Sequence, residues 1–191
     1  MNTEIKTRVR KKELKKLNEL DKQILLFFIE RKRHKVTLAE VIDGLNLNDF
    51  RIIELFDSLT RLNRYRIIFV RALTIELHDI VALLQFYLQL ERYNTALLLY
   101  AMLRKLLLIK KRAPEKNSII FSYDDVIFPY WEDDYAQQLR LLCSRNKRII
   151  HNAFHELVKR GYITSKHKYV YIFTANLLPE GIYEFIRPKT S

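Results

Sequence analysis

Along residues 149–158 the apolar side chains Ile149, Ile150, Ala153, Phe154, Leu157 and Val158 recur at i, i+3, i+4 and i+7, the spacing that lines one buried stripe on an α-helix. The pattern predicts a helix from Arg145 to Lys159, with Arg145, Arg148, Asn152, His155 and Lys159 facing outward. Gly161, free to take a positive φ, is expected to stop it. Tyr162 to Phe173 then alternates around a polar tip, Ser165 to Lys168, which is the period of a short hairpin.

Upstream, Leu20, Ile24, Leu25, Phe27 and Phe28 mark a first core helix between Leu17 and Glu30. Thr37-Leu-Ala-Glu40 is a capping box, in which hydroxyl and carboxylate each satisfy a free backbone N–H, so a second helix should run to about Ile42 and end at Gly44. Asn48 is placed to cap a third, Asp49 to Asn63, with Ile52, Ile53, Phe56, Leu59 and Leu62 inward. A hairpin follows at Arg66–Val70 and Leu73–Leu77. Asp79 caps a helix through Ile80, Leu83, Leu84, Phe86, Tyr87 and Leu88, and another starts at Asn94 or Thr95 and reaches Arg112. Ile119 to Tyr123 reads as a strand and Tyr135 to Cys143 as a helix. Pro129 bars a continuous helix from Asp124 through Trp131, so an acidic insertion is expected over residues 124–134.

Helix, helix, helix, hairpin thus occurs twice. The chain divides into a basic arm (1–16), a first domain (17–78), a linking helix (79–93) that offers a dimer contact, and a second domain (94–191). At an offset of 97 positions Arg51-Ile52-Ile53 overlays Arg148-Ile149-Ile150 and Tyr65 overlays Tyr162, a short echo of the repeat.

Charge then narrows the function. With 34 Lys and Arg against 22 Asp and Glu, the net charge of +12 favours polyanionic partners, nucleic acid first and an acidic membrane surface second. The longest apolar run, Ala96 to Leu103, is far shorter than the roughly 18 residues of a spanning helix. A charged N-terminus unlike a signal peptide and a single cysteine, Cys143, which cannot form an internal disulfide, point to a cytoplasmic protein.

The enzymatic alternatives are poorly supplied. His151 and His155 stand four apart, a metal-sharing spacing, but Asn152 occupies the place of the glutamate that a metalloprotease helix needs, and no third ligand is evident. Asp124, Asp125, Glu132, Asp133 and Asp134 are neighbours in one segment, whereas two-metal chemistry brings carboxylates together from separate elements. Gly44, Gly161 and Gly181 are isolated, so no glycine-rich phosphate loop can be built. Neither metal nor cofactor is implied. Tyr162, Tyr169, Tyr171 and Phe173 could stack on unpaired bases, or could form one buried face and a cross-strand pair.

A basic helix running through Leu157-Val-Lys-Arg-Gly-Tyr-Ile163 into a cationic hairpin resembles the recognition helix and wing of winged helix-turn-helix DNA-binding proteins. The implied fold is mainly α with small β-hairpins (α+β): two winged helix-turn-helix domains joined by a long helix. Three glycines amid abundant Lys, Ile, Leu and Tyr are similar in style to archaeal, viral or plasmid regulators. The resemblance implies sequence-specific binding of double-stranded DNA as a transcription regulator, with a homodimer as the working form. A plasmid or viral replication initiator and a tandem winged-helix scaffold for protein partners are the alternatives. Under this resemblance Arg145, Arg148, Asn152 and His155 approach base edges, Lys159, Lys166 and Lys168 with the arm residues Arg8, Arg10 and Lys11 neutralise phosphates, and Lys147 and His167 are further DNA-binding residues. Arg51 is the first-domain counterpart, beside Glu54 and Asp57, whose carboxylates a phosphate-lined groove would repel.

Overall fold

Short polar side chains decide where the helices of this chain begin. Asn18, Thr37, Asn48, Asp79, Asp133 and Asn146 each accept a hydrogen bond from a backbone N–H one to three residues inside a helix. The computed structural model describes residues 17–129, 131, 133–178 and 182–186. They form a mixed α+β chain with two three-stranded antiparallel sheets, in two compact units divided between Gln89 and Leu90. The arm, residues 1–16, lies outside the described residues. Among those described, no helix is long and apolar enough to cross a membrane.

The first unit contains α1 (Glu19–Glu30), β1 (Lys35–Thr37), α2 (Leu38–Gly44), α3 (Asp49–Arg64), β2 (Ile68–Arg71), β3 (Thr74–Leu77) and α4 (Ile80–Tyr87). Its strands lie in the order β1-β3-β2, with Val36 and Val70 both opposite Ile75. Ile24, Leu25 and Phe28 of α1 are buried, as are Leu55, Leu59 and Leu62 of α3, against which α1 packs. The buried carboxylate of Asp21 fixes that packing: it accepts from the Asn18 N–H at 2.9 Å and from Arg61 Nη1 at 2.8 Å. At Gly44 a side chain would overlap the Phe27 ring, so the α2 end approaches α1 as only glycine allows.

In the second unit, α5 (Tyr93–Lys110) leads to β4 (Ser118–Ser122), α6 (Tyr123–Ile127), α7 (Asp134–Arg145), α8 (Lys147–Lys159), β5 (Ile163–His167) and β6 (Val170–Thr174). A single 3-10 turn, Ala175–Leu177, and α9 (Ile182–Ile186) follow. The strand order is β4-β6-β5, the same as in the first unit. Phe154 of α8 stacks on Tyr171 of β6 at 4.2 Å and tilts against Phe121 of β4 at 6.3 Å, which seats the helix on the sheet.

Several sequence expectations shift. The segment 79–93 holds the eight-residue α4 and then a turn, with Gln89 at φ 52, before α5 starts at Tyr93. Residues 124–134 are not a bare insertion, since α6 occupies 123–127 and ends before Pro129. Arg145 closes α7 instead of opening α8; Asn146, at φ −157, ends one helix and caps the next. Ser165 and Lys166 belong to β5, and the hairpin turns at Lys168 and Tyr169. Ile53 and Phe56 face solvent, because the inward stripe of α3 is Leu55, Ser58, Leu59 and Leu62. The echo at 97 positions is likewise out of register. Buried Leu55, Ser58, Leu59 and Leu62 of α3 correspond to buried Ile150, Ala153, Phe154 and Leu157 of α8, each 95 positions on.

A charged residue missing from every sequence expectation ties α8 to α5. Glu156 is buried; its Oε1 accepts from the Glu91 N–H and its Oε2 from the Thr95 hydroxyl, both at 2.6 Å, and Arg160 Nε lies 3.3 Å away. Removing the carboxylate strands two donors at the α5 N-terminus, at a cost of about 1–3 kcal/mol. Glu156→Ala is therefore expected to lower the urea midpoint of the second unit, followed by Trp131 fluorescence, with Glu156→Gln intermediate. An unchanged midpoint would show that the tether contributes nothing.

Candidate nucleic-acid interface

The outward face of α8 is set by the residues it does not bury. Arg148, His151, His155 and Lys159 are exposed on it and Asn152 is half-buried, while Lys147 and Arg145 are exposed at its start. Lys166, His167 and Lys168 are exposed on the hairpin that follows. Gly161, at φ 76, turns the chain from helix to strand: its N–H donates to the Val158 carbonyl and that of Tyr162 to Leu157. A register shift between Ser165 and His167 adds a bulge near the tip.

α1, α2, α3, α6 and α7 each carry an acid in the first turn, where the helix dipole is positive. α4, α5 and α8 carry none there, and α8 begins with Lys147 and Arg148. Two cations at this end work against the dipole by about 0.3–1 kcal/mol each, a local cost that a bound anion offsets.

Tyr169 at the hairpin tip holds φ 66, unusual for a residue with a side chain. Its ring points back to the helix: His151 meets it edge-on at 6.2 Å, Tyr123 lies 6.2 Å away, and Lys168 Nζ stands 5.3 Å above it. A cavity of about 420 Å³ opens here, lined by Tyr123, Lys147, Arg148, His151, Phe154 and Tyr169. Sequence reasoning named the aromatics and cations but not their convergence, which depends on the conformation of Tyr169. The other hairpin aromatics divide differently. Tyr171 and Phe173 are buried in the core, and Tyr162 is half-buried.

Arg51 is not equivalent to the α8 cations. Its Nη2 donates to Gln23 Oε1 at 3.2 Å and its Nε lies 4.0 Å from Glu54, so local partners occupy it. Arg8, Arg10 and Lys11 fall outside the described residues. The acidic residues also have local duties. Asp125 accepts from the Ser122 N–H at 2.7 Å and pairs with Lys105 Nζ at 2.7 Å, while Asp133 accepts from the Ala136 N–H and from Trp131 Nε1. Among the described residues no group of three or more His, Cys, Asp or Glu is arranged to hold a metal ion.

Neither family models, curated proteins nor solved structures give a match to this chain.

Beneath the cavity, burial pushes the Tyr123 hydroxyl up to about 12, with the Cys143 thiol beside it. Burial also raises the Cys143 thiol above its usual range, against the opposing pulls of Tyr123 and Lys147. A raised thiol holds less thiolate at any given pH, and thiolate is the reactive form. At pH 8 Cys143 should react with iodoacetamide more slowly than a peptide thiol, and fully in urea. Alkylation of the folded protein at the peptide rate would mean that the thiol is open.

Proposed function

We propose that the second unit binds double-stranded DNA in a sequence-dependent way, with α8 in the major groove and the β5–β6 hairpin on the flanking phosphates, as a regulator of transcription. One comparison carries this reading. With the buried stripes of α3 and α8 matched residue for residue, Phe50, Ile53, Phe56, Asp57, Thr60 and Arg64 stand where α8 and its leading residue have Arg145, Arg148, His151, Asn152, His155 and Lys159. These positions hold three apolar side chains, one acid and one base in the first unit, and three Arg or Lys, two histidines and no acid in the second, so cationic charge is concentrated on this face of the second unit. The order helix, strand, helix, helix, hairpin, with the first strand against the last, supports a winged-helix fold for both units. In the second unit α7 is an added helix ahead of α8.

A salt titration with duplex DNA tests this directly. The logarithm of affinity should fall with that of salt by about 0.9 for each phosphate neutralised. Arg148→Ala with Asn152→Ala should flatten discrimination among sequences, each lost base contact being worth about 1–3 kcal/mol. Lys166→Ala with Lys168→Ala should weaken all duplexes alike and reduce the salt slope. Identical behaviour of the two pairs would remove the assigned roles, and the absence of any shift at micromolar protein would remove the duplex reading itself.

For the first unit a specific observation favours a protein contact. Phe50, Ile53 and Phe56 are 86%, 69% and 52% exposed along one side of α3, more apolar surface than an isolated helix face ordinarily shows to water. We infer that a second copy of the chain covers it: antiparallel α3 helices crossing at Ile53 set Phe50 of each against Phe56 of the other, a self-complementary apolar contact. Light scattering should find a dimer that Ile53→Glu converts to monomer without loss of helix content. A monomeric wild-type protein would overturn this assignment.

A further inference from the structure

We propose that the cavity between the first turn of α8 and the hairpin tip is a nucleotide-binding site, taking a planar base against Tyr169 and Tyr123 and a phosphate on Lys147 and Arg148. The lining supplies three aromatic rings and three basic side chains, and among the described residues no acid. Aromatic walls alone would suit any flat apolar ligand; cations alone would suit any anion. Together in one opening they select a molecule that is flat at one end and anionic at the other.

Size points the same way. At about 420 Å³ the space falls within the range of roughly 300–1,000 Å³ typical of small-ligand sites, and leaves a bare phosphate or a single ring largely uncontacted. The unfavourable placement of Lys147 and Arg148 at the positive end of α8 is relieved by a phosphate set there. Tyr169 is 45% exposed at the mouth of the opening, with Lys168 Nζ 5.3 Å over its ring as a further cation. Its backbone holds φ 66 at the hairpin tip, and its ring lies within 6.2 Å of both His151 and Tyr123. Tyr123 keeps its phenolic proton throughout the physiological range, so the inner wall adds no negative charge.

The site shares Lys147 and Arg148 with the duplex face but does not require that reading. A nucleotide held there could be free or could be an unpaired residue of a strand, since base and phosphate are common to both. Isothermal titration with AMP, adenosine and inorganic phosphate, together with the tyrosine ring signals in NMR spectra, tests it. AMP is expected to bind at least about tenfold more tightly than either fragment, and to shift the Tyr123 and Tyr169 ring signals. Tyr169→Ala and Arg148→Ala should each weaken AMP about tenfold, while Tyr169→Phe should retain it, which separates lost stacking from lost folding. A single-stranded dA hexamer that displaces AMP at lower concentration than AMP itself assigns the site to unpaired strand; weaker displacement assigns it to the free nucleotide. No AMP binding at millimolar concentration, or equal binding by wild type and Tyr169→Ala, overturns the proposal. Duplex shifts measured on the same samples separate the two readings: duplex binding that survives without AMP binding leaves the duplex reading intact, and AMP binding without duplex binding leaves only the nucleotide site.

Discussion

The second unit depends on one buried carboxylate. Glu156 sits on the inner side of the helix whose outer side carries Arg148, His151, Asn152 and His155, and its two oxygens bond to Glu91 and Thr95, more than sixty residues earlier. Burial of the stripe Ile150, Ala153, Phe154 and Leu157 sets which side of the helix faces the core. Hydrogen bonds to a backbone N–H and a hydroxyl are directional, and in a buried setting a rotation that broke them would leave donors unsatisfied. The tether therefore ties α8 to the start of α5 and reinforces the rotation that leaves Arg148, His151 and His155 toward solvent.

Given that rotation, the rest of the face follows from short-range chemistry. Asn146 interrupts what would otherwise be a continuous helix from Asp134 to Lys159 and starts α8 afresh, placing Lys147 and Arg148 in a first turn that its own side chain caps at the Arg148 N–H. Gly161 ends the helix with the geometry that delivers the hairpin beside it. Phe154, in contact with Tyr171 and Phe121, packs the helix onto the sheet.

Much of this was legible in the sequence, and the misses have physical causes. The capping box at Thr37 and Glu40, the caps at Asn48 and Asp79, the stop at Gly161 and the apolar period of residues 149–158 are local signals, and each marks an element in the structure. β1 has three residues, too few to establish a period of two. On α3 apolar residues occur on both sides, so periodicity alone chose Ile53 and Phe56 as core where packing chose Leu55 and Ser58. Glu156 carried no local signal, because Glu91 and Thr95 are distant in sequence. The cavity was invisible for a related reason: Tyr123 and Tyr169 meet only when β4 pairs with β6 and the tip residue turns back.

The matched stripes of α3 and α8 have a wider consequence. Two helices that bury equivalent positions, yet show solvent unrelated chemistries, separate the demands of folding from those of recognition. Outward residues can be exchanged wholesale between such modules while the interior stays as it is. A chain organised in this manner acquires a new ligand by repainting a surface, and keeps its architecture as inherited capital.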